Sequence, residues 1–325
     1  MSDENVIPVL VVFGATASGK TALARDFFAE NLHADSSQSL GLRFRGRAEI
    51  ISADSMQVYR GMDIGTAKPD PVLLQNLPHH LINICTPDEQ FCAGDFVRLA
   101  DTACRDIYSR GKLPVILGGT AFYIRNFLFG LPETPASDAN IRTELLSRMK
   151  KEGASILMQE LAAADPVSAA RISIHDEYRI VRALEVLASS GRPLSSFTLS
   201  KSYRPGYRFL VISLDRPRTE LYDRINRRVV RMFTDGLVNE VAGLIAAGYT
   251  ADDPGMQAIG YREFFLFDSA EDPAIRERIQ LDSRKYAKRQ ATFIRALSEV
   301  AHVYAEDYRS IAALLDSFLA SKRPS

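Results

Sequence analysis

Residues 7–21 read IPVLVVFGATASGKT: an apolar run, Ile7–Phe13, feeding directly into Gly14-Ala15-Thr16-Ala17-Ser18-Gly19-Lys20-Thr21. The second part is a complete G-x-x-x-x-G-K-[ST] phosphate loop. Its glycines let backbone N–H groups close around phosphate oxygens, and Lys20 neutralises their charge. The Thr21 hydroxyl can ligate a magnesium ion held by the same phosphates. A strand before the loop and a helical pattern after it turn the motif into a site. The loop by itself does not reveal which phosphate compound binds.

Outward from this loop, strand-like apolar runs at residues 50–53, 81–84, 113–117 and 209–214 alternate with helical patterns at 21–31, 95–109 and 219–232. Alternation of this kind predicts an α/β fold, a P-loop NTPase-like, doubly wound, mainly parallel sheet, whose ligands gather at the carboxyl ends of the strands. Those ends carry the loop itself, Asp54-Ser55-Met56-Gln57, and Gly118-Gly119-Thr120. Residues 135–203 lack a good strand and show helical periodicity at 141–151, 156–164 and 178–189, between the proline-bearing joints 132–135 and 203–206. An inserted all-helical subdomain is expected there, with residues 1–134 and 204–325 forming the catalytic core. Residues 36–47 have no clear period and read as an inserted surface loop.

Composition narrows the class. The 325 residues are 46% hydrophobic, enough to bury a substantial core, and no stretch reaches the length of a spanning helix, so no membrane role is expected. The acidic start Met1-Ser2-Asp3-Glu4 is unlike a signal peptide, which predicts a cytoplasmic protein. Lys+Arg and Asp+Glu are equal at 40 each, so any polyanion binding must come from local clusters. Cys85, Cys92 and Cys104 have no disulfide or zinc spacing. A monomer is the default expectation.

Asp54 follows a buried strand and should face the phosphate loop. It could hold a magnesium ion, accept a proton from an attacking amine or hydroxyl, or simply cap the next turn. Arg224 and Arg228 stand one helical turn apart, suited to a diphosphate. Tyr286 and Phe293 at helical spacing read mainly as core, with Lys288 and Arg289 near a substrate channel.

The run Asp54-Ser55-Met56-Gln57-Val58-Tyr59-Arg60-Gly61-Met62-Asp63-Ile64-Gly65-Thr66-Ala67-Lys68-Pro69 closely resembles the signature of the tRNA dimethylallyltransferases, also called tRNA isopentenyltransferases. The likeness spans nearly the whole chain, through Pro78-His79-His80-Leu81, Gly118-Gly119-Thr120 with Tyr123, Arg179-Ile180-Val181-Arg182-Ala183-Leu184-Glu185-Val186, Gln257-Ala258-Ile259-Gly260-Tyr261-Arg262-Glu263 and Tyr286-Ala287-Lys288-Arg289-Gln290. The resemblance implies transfer of a dimethylallyl group from dimethylallyl diphosphate, with Mg2+, to N6 of the adenine 3′ of a tRNA anticodon. It implies that Asp54 is the general base, with Thr120 and Lys20 in the catalytic set. Residues Gly14 to Thr21, with Arg224 and Arg228, would hold the donor. The anticodon stem-loop of the tRNA partner would meet Asp54, Ser55, Met56, Gln57, Thr120, Arg142, Tyr178, Arg179, Ile180, Val181, Arg182, Gln257, Ala258, Ile259, Gly260, Tyr261, Arg262, Lys288 and Arg289. Ala15 departs from the family's usual proline and Phe293 from its common tryptophan. A small-molecule kinase, an adenylate prenyltransferase and a noncatalytic RNA-binding switch are the alternatives the loop leaves open.

Overall fold

The computed structural model describes residues 6–30, 41–197, 200, 202–297 and 299–321. They fall into two compact units, Met1–Leu128 with Pro205–Ser325 and, separately, Phe129–Arg204. The strands are β1 (Ile7–Phe13), β2 (Ala48–Ala53), β3 (His79–His80), β4 (Leu113–Gly118), β5 (Tyr207–Asp215) and β6 (Ala301–Tyr304). The helices of the first unit are α1 (Lys20–Phe28), α2 (Pro71–Asn76), α3 (Ala93–Ser109) and α4 (Ala121–Phe129). In the second unit lie α5 (Ala139–Glu152), α6 (Ala154–Ala164), α7 (Pro166–Ala169) and α8 (Glu177–Ser190). The chain then returns to the first unit with α9 (Arg218–Thr234), α10 (Leu237–Ala246), α11 (Pro273–Ile294) and α12 (Tyr308–Ala320).

All strand pairings are parallel, in the order β3-β2-β4-β1-β5-β6. Strands covered on both faces must be apolar on both, and Val9 to Phe13 are each at most 1% exposed. Leu10 and Val12 join Leu23, Phe27, Leu73, Ile311 and Leu315 beneath α1, α2 and α12. Elsewhere in this unit Phe96 stacks on Tyr123 at 4.7 Å and Phe127 meets Phe209 edge-on, joining α3 and α4 to β5.

Because β4 and β5 flank β1, the phosphate loop leaves the middle of the sheet. The ends of β2 and β4 are in register at Ala53 and Gly118. A Cβ at Gly118 would stand 2.1 Å from the Ala53 carbonyl oxygen, so only glycine allows this approach. Residues 14, 54 and 119 therefore leave neighbouring strand ends on one edge of the sheet.

The expected strand at 81–84 does not form. Leu81 and Asn83 adopt positive φ (63° and 56°), and the N–H groups of Ile84 and Cys85 turn to the Val58 carbonyl; the strand is His79–His80 instead. Its histidines are structural: His79 meets the Leu77 carbonyl, and His80 meets Glu49 at 2.8 Å. β6 escaped sequence reading because it is short, half-exposed and at the sheet edge. Of the expected surface loop at 36–47, residues 36–40 lie outside the described residues. Residues 41–47 are anchored rather than free: Phe44 is 4% exposed and stacks on Phe27, while Arg43 pairs with Asp316.

In the second unit, Leu145, Met149, Leu157, Leu161, Ile180, Val181 and Leu184 form a closed core. Glu185, 0% exposed, accepts from Ser137, the Asp138 N–H, Arg142 and Arg182. Burial opposes its charge, but these bonds outweigh it and hold the carboxyl below its ordinary range.

Candidate active site

The loop between β1 and α1 is wound by Gly19 at φ 110° and by Ala17 at φ 65°. The alanine's left-handed backbone costs roughly 1–2 kcal/mol. Cations surround the loop and seize its carbonyls: Lys20 Nζ donates to Gly14 (2.8 Å) and Ala15 (2.9 Å), Arg224 to Ala17 (2.8 Å), and Arg216 to Ser18 (2.6 Å). Arg228 reaches the Thr16 hydroxyl at 3.3 Å. With carbonyls so engaged, the first N–H groups of α1 keep the free ends every helix start has. Ser18 Oγ, in a residue 1% exposed, is buried without a hydrogen-bond partner. Together these groups fit a phosphate-bearing ligand.

Burial and neighbouring cations both disfavour charge on these groups. Burial first and Arg228 second pull the Lys20 ammonium down to about 7, against an opposing pull from Asp54. Burial and Arg224 likewise lower Arg228, with Asp54 again opposing. An anion in the loop restores the charged lysine, so binding takes up a proton. Affinity for an alkyl diphosphate, itself fully ionised by about pH 8, should therefore fall above pH 7 by up to about tenfold per unit until the bound lysine titrates. Calorimetry at pH 8 in two buffers of different ionisation enthalpy should show uptake close to one proton; none would refute the assignment.

Beside the loop is a cleft of about 250 Å³ whose lining includes Thr16, Asp54, Ser55, Met56, Arg228 and Tyr286. Ile225, Val229, Met232, Ile259 and Ile279 give it an apolar wall. Asp54 does cap a turn, yet with one oxygen only: Oδ1 accepts from Met56 N (2.9 Å) and Gln57 N (3.3 Å). Thr120 is tied to the same turn, its Oγ1 accepting from Ser55 N at 2.9 Å while its N–H donates to Ala53. Its side chain thus reaches the Asp54 turn rather than α4.

Tyr286, expected in the core, lines the cleft with Arg289. Burial first and the Asp54 charge second push its hydroxyl up to about 12, so it stays protonated beside Thr120 and Gln290. Lys288 is exposed and outside the cleft lining. Gln257, Ala258, Ile259 and Arg262 line it, but the intervening motif residues do not. Tyr261 is 0% exposed and donates to Glu240 at 2.6 Å, while buried Gly260 bonds Glu263. Gln57 also turns away, bridging Ser52 to the Thr66 and Ala67 carbonyls. Thr21 is exposed at the start of α1.

In the helical unit, Tyr178 and Arg179 face solvent, and Arg142 lies 5.0 Å over the Tyr178 ring. Ile180 and Val181, expected to touch RNA, are fully buried because their face of α8 supplies the core. Arg182 is held by Glu185 and the Pro135 carbonyl.

Two site residues, Arg216 and Glu240, had no legible signal, and Gln290 stood within a motif of the resemblance with no role attached to it. Glu240 accepts from the N–H groups of Asp63 (2.9 Å), Ile64 (2.8 Å) and Gly65 (3.1 Å), fixing the cleft wall at 65–67. Gly65 abuts Tyr261, where a Cβ would lie 2.4 Å from the ring. Gly65→Ala should destabilise the protein by about 1–3 kcal/mol in urea unfolding, since Glu240 pins the ring. An unchanged midpoint would show that the wall yields.

The fold and site define a phosphate-loop α/β protein with an apolar-walled cleft at its strand ends, lined by the Asp54 carboxylate and by Arg228, Arg262 and Arg289. The IPP transferase family model matches residues 57–297. A tRNA dimethylallyltransferase 2 of Geotalea uraniireducens is 44% identical over 98% of this chain and 99% of its own. The tRNA dimethylallyltransferase of Geobacter sulfurreducens is 41% identical over 95% and 96%. Among solved structures, the tRNA isopentenylpyrophosphate transferase of Bacillus halodurans aligns with TM-score 0.65 and 33% identity, covering 96% of each chain. A eukaryotic dimethylallyltransferase acting on tRNA shares the fold, at TM-score 0.79 and 23% identity over 98% and 80%. The chain belongs to the tRNA dimethylallyltransferase (IPP transferase) family, bacterial type.

Proposed function

We propose that this enzyme transfers a dimethylallyl group from dimethylallyl diphosphate to N6 of the adenine 3′ of a tRNA anticodon. The observation that carries the reading is the cation-crowded loop opening beside a cleft that pairs Asp54 with an apolar wall. The loop suits a diphosphate, and the wall suits a five-carbon isoprenoid better than a ribose. N6 attacks the allylic carbon, the carbon–oxygen bond breaks, and its electron pair leaves on diphosphate. Lys20, Arg224 and Arg228 stabilise that charge, and Asp54 takes the N6 proton. Thr120 and Tyr286 hold the carboxylate's surroundings.

An adenine stacked in the anticodon loop must be everted to reach Asp54, at a cost of a few kcal/mol. The exposed Tyr178 and Arg179, with half-buried Arg142 over the tyrosine ring, suit backbone and base contacts on the anticodon stem-loop. Among the described residues no group of three or more His, Cys, Asp or Glu is arranged to hold a metal ion. Magnesium suits such a place when phosphates supply most of its oxygens, with Thr21 and Ser18 as protein hydroxyls near the loop. When bound it supplies further charge stabilisation for the leaving diphosphate. No helix among the described residues is long and apolar enough to cross a membrane.

The reading is tested by following diphosphate release. Release from dimethylallyl diphosphate should require unmodified tRNA. Equal release with AMP in place of RNA would favour the adenylate enzyme, and consumption of ATP would favour a kinase.

A further inference from the structure

Gln290, on α11, is 3% exposed and sits between the two halves of the site. Its Oε1 accepts from the Thr16 N–H of the phosphate loop at 2.8 Å. Its Nε2 donates to the Gly119 carbonyl at 2.7 Å, one residue before Thr120. A backbone N–H can only donate and a carbonyl only accept, so these partners fix which end of the amide is which. Thr120 in turn holds Ser55, next to Asp54, and the Tyr286 hydroxyl rests against both Thr120 and Gln290.

We infer that Gln290 is a positioning residue whose amide holds the donor loop in register with the acceptor wall carrying Thr120 and Asp54. The inference rests on the proposed transfer reaction. Gln290 touches neither reacting atom; it sets the separation of the groups that do. The two strand ends it joins carry the leaving diphosphate and the attacking nitrogen, and a displacement near 1 Å costs about 100-fold in rate. Gly119 keeps the bridge closed from the other side: a Cβ there would stand 2.3 Å from Nε2, and its backbone has no positive φ that would bar alanine. Gly119→Ala therefore opens the same bridge from its other end, with no substitution on α11.

The test compares Gln290→Met, which keeps length and removes both polar ends, with Gly119→Ala and the double variant. Single-turnover transfer to tRNA, affinity for dimethylallyl diphosphate and thermal midpoint are read for each. Each single variant should lose about 30- to 100-fold in single-turnover rate, with donor affinity within about threefold of the parent and a midpoint lowered by a few degrees. The double variant should be no more than about threefold slower than the worse single one, because both break one bridge. Multiplying losses, or a lowered midpoint with an unchanged turnover rate, would overturn the bridge and leave Gln290 as a packing amide. If the parent itself moves no prenyl group to tRNA, the functional reading fails, and that outcome is visible before any variant is compared.

Discussion

Asp54→Asn should slow single-turnover transfer by about 10²–10⁴-fold while leaving donor affinity near the parent value. The substitution is clean because of how Asp54 is used. An asparagine Oδ1 still accepts from Met56 N and Gln57 N, so the turn after β2 survives. The ability to take a proton does not. Rate and affinity should therefore separate. Near-normal transfer by Asp54→Asn would reduce this carboxylate to a turn cap. Loss of donor binding instead would make it an organiser of the loop.

Lys20→Ala should produce the second large effect, a loss of about 10²–10³-fold in transfer. The ammonium opposes the charge that grows on the leaving oxygens, so its removal acts on the transition state more than on the bound donor. It also frees the Gly14 and Ala15 carbonyls, so donor affinity should fall as well. The proton uptake expected on diphosphate binding at pH 8 should vanish in this variant. Persistence of that uptake would assign the titration to another group. Rapid-quench transfer and calorimetry on the same preparation read both effects.

The parts of this site that sequence made legible are those carried by local chain geometry. A strand running into G-x-x-x-x-G-K-T specifies its loop within a few residues. Arg224 and Arg228, one helical turn apart, have to emerge on one face of α9, and they converge on Ala17 and Thr16. What sequence could not supply is contact between distant segments. Gln290 is 274 residues from Thr16, and Arg216 is 198 residues from Ser18. A glutamine in a basic helix carries no local mark of a buried bridge. The reverse error arose where a contiguous motif was read as a contiguous surface. Ala258 and Ile259 line the cleft, but the chain turns through Gly260 at φ 101° and puts Tyr261 behind it. Ile180 and Val181 fell to the same reading, because an amphipathic helix that presents Arg179 outward must give its other face to the core. Tyr286 shows the opposite case: its spacing fits a core, but its ring meets a cleft that only the assembled fold creates.

All of this depends on an isoprenoid diphosphate in the phosphate loop and an adenine at Asp54. The decisive measurement is incubation of the enzyme with dimethylallyl diphosphate and unmodified tRNA, followed by ribonuclease digestion and mass analysis of the oligonucleotide fragments. N6-(dimethylallyl)adenosine should form at one position, directly 3′ of the anticodon, and form at least about 100-fold more slowly with Asp54→Asn. Unmodified adenosine at that position, with the donor intact and ATP consumed in its place, would contradict the assignment.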